Sequence, residues 1–481
     1  MKKTISLLLC AIMLMCALVG CAKDPDKNDE TNNTPDTDVI DTTTQGNEET
    51  EHVLVPEDFG DSMGSARKFT ILVRQGRWRY LHSEDDSSDR VASSAWKRNQ
   101  AIEELYNIDI EVKELAGGNF SDTQKWITAL LGANGEYDLC MAEYWMGLGL
   151  EGLLTNILEC EEIDLSLDYY YRDWNDNLTV NGKLFELTGD VTNEMVEQLE
   201  VIYYNKAIAD ELQLDLYKLV DEGNWTLEEM DKIIKDAQKG LDDEDVSNNV
   251  YGAMYDIHSL RTGIMSLGLE LVEPTDNGFY VIVEDQTRNI RVAEEFTKFI
   301  HQAGVDYSSA TCRSRDTSLF VNGQSLFFAT SLLIGERMKP EISGWDYGVV
   351  IAPKLDAEDD YYATVYGCTP LAIPKSVKST HVSATVLDAM NYMGEESNIR
   401  SFYDIVLLGQ VADKADDVRM IEFARGMITT NIACIFDEGK IDLQCQYANV
   451  AVAGNKPISS NLATIIDNAG SYLDTILEKY Q

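Results

Sequence analysis

From Phe69 onward the spacing of apolar residues changes period several times, and each change marks an element. Residues 69–73, F-T-I-L-V, form a short apolar run of the kind that makes a buried strand. The stretch S-S-A-W-K-R-N-Q-A-I-E-E-L-Y then places Trp96, Ile102 and Leu105 at helical spacing behind a serine start. I-D-I-E-V-K-E-L alternates with period two and predicts a second strand, and F-S-D-T-Q-K-W-I-T-A-L-L returns to helix. Y-D-L-C-M-A supplies a third strand. Strand, helix, strand, helix, strand demands right-handed crossovers and an open α/β sheet. Ligands of such sheets bind beyond the carboxyl ends of the strands. Arg74, Arg77 and Trp78 follow the first strand and Glu143, Tyr144 and Trp145 the third, so both groups stand where a ligand would be met.

Just beyond lies G-L-G-L-E-G at 147–152, which has the spacing of a dinucleotide-binding turn. Its context argues against that use. Glu143, Tyr144, Trp145 and Met146 separate the strand from Gly147, whereas a phosphate turn begins directly after its strand. No second strand ending in an acid follows about 20 positions on. No cofactor is expected.

The 415 residues from Arg67 to Gln481 are too many for one ordinary core, so two lobes are expected. Ahead of them, Lys2 and Lys3 precede an uncharged apolar run from Ile5 to Val19 that closes on L-V-G-C, the pattern of an export signal ending in a bacterial lipobox. Residues 1–20 are read as the signal and Cys21 as the lipidated first residue of the mature protein. Residues 21–66 are dominated by Asp, Glu, Thr and Asn, and cannot bury enough apolar surface to offset their ordering entropy. They read as a disordered acidic tether, holding the folded part off the outer face of the cytoplasmic membrane.

The formal charge of −44 excludes non-specific nucleic-acid binding, which rests on neutralising phosphates with Lys and Arg. Beyond Cys21 stand Cys140, Cys160, Cys312, Cys368, Cys434 and Cys445 with no C-x-x-C pair, so mostly free thiols are expected and no metal site.

Several segments in register resemble the extracellular solute-binding proteins of ABC transporters, the family that includes the maltose- and other oligosaccharide-binding proteins. They are E-Y-D-L-C-M-A-E-Y-W with L-E-G-L-L-T-N-I, similar to the strand leading into the cleft and the helix after it; N-G-K-L-F-E-L-T-G-D-V-T-N-E-M-V-E-Q-L-E-V-I-Y-Y-N-K, similar to the segment crossing between lobes; and G-N-W-T-L-E-E-M-D-K-I-I-K-D-A-Q-K, whose Thr226 and Glu229 also form a capping box. S-L-F-V-N-G-Q-S-L-F-F-A-T, W-D-Y-G-V-V-I-A-P-K-L-D and Y-G-C-T-P-L-A-I-P-K-S complete the set, although Ser325 and Leu326 depart from the family's small-then-Met pair. The resemblance implies a two-lobe α/β periplasmic-binding-protein-like fold with discontinuous lobes and a ligand cleft at the hinge. Lobe one is placed at 67–190 and 355–408, and lobe two at 191–354 and 409–481.

A sugar offers an apolar C–H face and a ring of hydroxyls, so its site needs aromatic plates and groups that accept or donate hydrogen bonds. Trp145 is the leading plate, then Tyr144 and Trp78, with Glu143 as hydrogen-bonding carboxylate and Arg77, next to Trp78 in the chain, as a further candidate. Y-G-A-M-Y-D-I-H-S-L-R-T-G reads as a strand ending near Asp256 and running into a polar loop; the resemblance turns that loop to the cleft, which makes His258 and Arg261 candidates. Ser331 and Tyr366 complete the set, while Trp126 and Trp225 read as packing residues. The family's second-lobe Trp near Ser331 is missing, which weakens the transfer of oligosaccharide specificity. The resemblance implies a monomeric receptor with no enzyme activity, delivering its solute to separate permease subunits. Two alternatives stay open: an exported glycan-acting enzyme, for which no G-x-S-x-G, H-E-x-x-H or S-x-x-K set is present, and a surface scaffold or adhesion lipoprotein, for which no repeat is present.

Overall fold

The computed structural model describes residues 52–75, 81–86, 89–116, 122–141, 146–241, 249–307, 316–365, 367–407, 414–430, 449–454 and 456–481. Its strands and helices belong to the unit Leu54–Gln481. In chain order the described strands are β1 (Arg67–Arg74), β2 (Ile108–Leu115), β3 (Leu139–Met141), β4 (Glu200–Asn205), β5 (Tyr251–Tyr255), β6 (Val272–Pro274), β7 (Tyr280–Ile282), β8 (Val305–Asp306), β9 (Ser325–Ser331), β10 (Tyr347–Val350) and β11 (Leu371–Ala372).

They form two main sheets. The first has the order β11-β3-β1-β2, with β1 parallel to β2 and β3 and the late strand β11 antiparallel to β3. Phe69, Ile71, Leu72 and Val73 of β1 are buried on both faces, which is why this strand reads as an unbroken apolar run. The helix Arg90–Tyr106 crosses from β1 to β2; the Asp89 carboxylate caps it by accepting the Val91 and Ala92 N–H groups, and Asn107 ends it in the left-handed region at φ 52°. The second sheet has the order β10-β4-β9-β5-β8, with β4 antiparallel to both its neighbours. Its helix Leu227–Ala237 buries the single stripe Leu227, Met230, Ile233, Ile234 and Ala237. Thr226 Oγ1 accepts the Glu229 N–H at 3.2 Å, one half of the predicted capping box; the other half is replaced, because the Thr226 N–H donates to the Asn224 carbonyl at 3.0 Å.

Between the sheets the chain passes once at 187–199 and back at 363–371, and the two passages pair with each other. Leu187 bridges Leu371 and Leu199 bridges Val365, both antiparallel. A later run returns to the second sheet, where the helix Lys414–Gly426 fixes itself through buried Asp417, which accepts from Val349 N–H at 2.8 Å, Tyr217 hydroxyl at 2.8 Å and Lys206 Nζ at 3.0 Å.

Three local readings of the sequence are corrected. Residues 54–65, read as the end of the disordered tether 21–66, are seated on the helix Arg90–Tyr106, with Phe59 stacked on Tyr106 and its N–H donating to the Tyr106 carbonyl at 3.0 Å. The segment after β5 is not a polar loop but the helix Ile257–Ser266, capped by Asp256, whose carboxylate accepts the His258 N–H at 2.6 Å and the Ser259 N–H at 2.9 Å. Residues 147–154 do not start a helix. Gly147 and Gly152 take φ of +60° and +71°, which breaks a right-handed helix at both ends, and the stretch runs on to an isolated bridge of Leu154 with Pro374. Trp126 and Trp225 are fully buried, and the Trp225 indole N–H donates to the Ile351 carbonyl at 2.8 Å.

Candidate functional site

The carboxyl ends of β1 and β3 lead into residues 76–80 and 142–145. Arg77, Trp78, Glu143, Tyr144 and Trp145 therefore lie outside the described residues, as do Tyr366 and Cys21. Of the predicted solute contacts, His258, Arg261 and Ser331 are placed. His258 and Arg261 stand three apart on the helix Ile257–Ser266, each half-buried. Ser331 is corrected as a contact: it ends β9 opposite Glu200 of β4, beneath that helix, with 0% exposure, and offers no surface to a solute.

What the structure adds is a run of buried acids along the first passage between the sheets. Asp190, Glu194, Glu197 and Glu200 are exposed by 0, 5, 4 and 4%. Glu194 and Glu200 are tied to other elements, and Glu197 to its own turn. Glu194 accepts the Thr369 N–H of the return passage at 2.7 Å, Glu197 accepts from the Asn193 amide at 3.0 Å, and Glu200 accepts the Ser259 hydroxyl at 2.5 Å. Nearby, the Thr364 hydroxyl donates to the Thr262 carbonyl at 3.4 Å, joining the return passage to the same helix. Buried carboxylates persist only with such partners.

Asp190 reaches furthest. It accepts the Tyr171 hydroxyl at 2.9 Å and forms an ion pair with Arg425, which projects from the helix Lys414–Gly426 on the second sheet. Burial pushes the Asp190 carboxyl up to about 7, with Arg425 and Tyr171 pulling the other way. For Arg425, burial works downward and is outweighed by Tyr171 and Asp190, so its shift is upward. These two tendencies conflict, and a guanidinium that stays protonated at ordinary pH decides the matter in favour of the ion pair. The start of the passage is clamped as well: buried Arg98, pushed down to about 9 by burial, donates to the Val191 and Leu81 carbonyls at 2.5 and 2.8 Å, and the Val191 N–H donates to Asn391 at 3.0 Å. At Gly394 a Cβ would stand 1.9 Å from the Asp190 carbonyl oxygen, so only glycine fits there.

A cavity of about 470 Å³ lies beside this pair, with Tyr170, Tyr171, Glu395, Glu422, Arg425 and Ile428 in its walls. None of these residues follows the carboxyl end of a strand; the cavity lies beside the Asp190–Arg425 pair at the hinge.

The glycine turn also has a purpose. A Cβ on Gly149 would meet the Phe185 ring at 2.4 Å, and its N–H bonds the Glu186 carboxylate. The amide that a phosphate would need thus serves a carboxyl of this chain, which burial pushes up to about 8. Cys140, Cys160 and Cys368 are buried, and burial raises the first two thiols, Cys160 to about 11, which leaves them unreactive. Among the described residues no group of three or more His, Cys, Asp or Glu side chains is arranged to hold a metal ion, and no helix is long and apolar enough to cross a membrane.

No protein-family model matches the chain, and no curated protein matches it by sequence. Solved structures do match in shape. A sugar transporter of Rhizobium etli, in an open conformation, superimposes with a TM-score of 0.56 at 15% identity, covering 86% of this chain and 99% of the other. UgpB of Mycobacterium tuberculosis, in complex with glycerophosphocholine, gives 0.54 at 14% over 87% and 100%, and an ABC substrate-binding protein of Listeria monocytogenes, in complex with cycloalternan, gives 0.52 at 12% over 86% and 100%. Identities this low speak for the fold, and they do so over nearly the full length of each neighbour: the chain has the two-lobe α/β fold of the periplasmic binding proteins.

Proposed function

We propose that this chain is the substrate-binding lipoprotein of an ABC importer, capturing a carbohydrate between lobes 67–190 with 355–408 and 191–354 with 409–481. The observation that carries the reading is the pair of passages joining two separate sheets, a hinge about which two lobes can close. Closure is favoured only by as much as the solute binds the closed state better than the open one. Trp145, Tyr144 and Trp78 serve as plates, Glu143, Arg77 and Tyr366 as their polar partners from lobe one, and His258 and Arg261 close from lobe two. Anchoring is through lipid on Cys21 at the outer face of the membrane, and the solute passes to permease subunits.

Structural neighbours hold a cyclic oligosaccharide in one case and a phosphodiester in another. The chain's own charge separates these. A net charge of −44 disfavours a phosphodiester, whereas a carboxylate such as Glu143 is a good acceptor for sugar hydroxyls.

A thermal-shift screen of the full chain against mono- and oligosaccharides, with glycerophosphodiesters, amino acids, peptides and polyols alongside, tests this. A ligand specific for the folded state stabilises it by about 2.7 kcal/mol at a hundredfold excess over Kd. A saturable shift with one sugar, lost in Trp145→Ala, supports receptor, class and site together. Shifts confined to other solutes keep the receptor and discard the carbohydrate, and silence across the panel removes the receptor reading.

A further inference from the structure

The segment ahead of β1 is seated on the first sheet's helices. Phe59 stacks on Tyr106 at 5.5 Å between ring centres and 15° between planes, its N–H donates to the Tyr106 carbonyl at 3.0 Å, and the Asn107 amide donates to Asp58 at 2.8 Å. Gly60 lies so close to Asn107 that a Cβ would stand 2.1 Å from its amide nitrogen. The outer end of this strap is held by one imidazole. His381, at the start of the helix Thr380–Tyr392, meets the Phe59 ring edge-on at 5.8 Å; its Nδ1 lies 2.5 Å from Glu162 and its Nε2 3.0 Å from Glu57 of the strap.

Both ring nitrogens face carboxylate oxygens. A neutral imidazole carries one N–H, so one carboxylate would then face a lone pair; only the imidazolium satisfies both. We propose that His381 is a pH-sensitive clasp that tightens the strap of residues 54–65 against the helix Arg90–Tyr106 when protonated and raises the population of its undocked state when neutral. On deprotonation the shorter Nδ1–H bond to Glu162 is kept and the Nε2 proton passes to solvent, so the strap's Glu57 is the partner that lets go. Other charges around the ring are turned elsewhere. Asp58 serves Asn107 and the Gly60 N–H, Glu103 serves the Ile110 N–H and Gln100, and the Lys378 stem lies against Gly135. The amino end of its own helix works mildly against the cation.

The bonds to Glu162 and Glu57 raise the His381 pKa above its ordinary 6.5. A histidine whose folded value is raised contributes its stabilisation fully below the unfolded value, so the clasp is closed below about pH 6.5 and opens as pH rises through the raised value. The side chain is 51% exposed, which keeps the effect small. Release frees 12 residues, a further reach of roughly 40 Å; that consequence, unlike the docking itself, rests on the anchored-receptor reading.

Hydrogen exchange of the full chain, followed by mass spectrometry on the peptide containing Phe59 and corrected for intrinsic rates, reads the strap without reference to solute binding. Protection should fall about two- to fivefold between pH 6 and pH 8.5, the scale of an exposed ion pair. His381→Gln should sit at the low level at both pH values and His381→Arg at the high level. Wild-type protection that does not change with pH, or a Gln variant that keeps the wild-type profile, overturns the proposal; the wild-type comparison decides it even where a variant fails to fold.

Discussion

Two buried acids four residues apart, Glu186 and Asp190, show how the same burial yields different structures. Glu186 stands beside the glycine turn, bonded to the Gly149 N–H, and burial pushes its carboxyl up to about 8, so at neutral pH it holds its proton and fastens a turn. Asp190 stands at the mouth of the hinge, where Tyr171 and Arg425 stabilise its charge, so it joins segments that belong to different sheets. Burial is the common force, and the presence of a guanidinium decides which acid becomes a crosslink.

The comparison breaks most severely at Arg425. In Arg425→Met, Asp190 is left buried without its cation, which should cost about 3–5 kcal/mol in denaturant unfolding. Its carboxyl should then take up a proton as Glu186 does, so the variant's deficit should shrink at low pH and grow as pH rises. A variant as stable as the wild type at pH 8 would show that the pair contributes nothing across the hinge. A smaller effect is expected at Glu186. Between its unfolded value of 4.5 and about 8 the folded state binds the extra proton, so wild-type stability should decline as pH rises through that window. Glu186→Gln should remove that decline and exceed the wild type by about 1–3 kcal/mol at pH 8; unchanged pH profiles in the two proteins would place the carboxyl in water.

The elements whose signals are local were legible in the sequence. β1, β2 and β3 followed from apolar period, and the helix Leu227–Ala237 from its Thr226 and Glu229 capping pattern. The helix Ile257–Ser266 was hidden because Ser259, Thr262, Gly263 and Ser266 are poor helix formers; its buried Leu260 and Ile264, packed over β4 and β9, override that preference. Asp190 and Arg425 are 235 residues apart, beyond any periodicity. For the hinge acids the signal was present, in D-V-T-N-E-M-V-E-Q-L-E: acids spaced by four, three and three within a run otherwise apolar enough to be buried. The aromatic plates follow from chain position after β1 and β3 and from resemblance, and their geometry lies outside the described residues.

The central claim is that two lobes close about this hinge on a solute. Spin labels at Leu131→Cys, on the helix Thr123–Gly132, and Lys298→Cys, on the helix Thr287–Ile300, occupy exposed positions beside the first and second sheets. The distance between them, measured with and without the sugar that gives the largest thermal shift, should shorten by several ångströms at saturation. A distance distribution that stays unchanged while the sugar is bound would contradict the account.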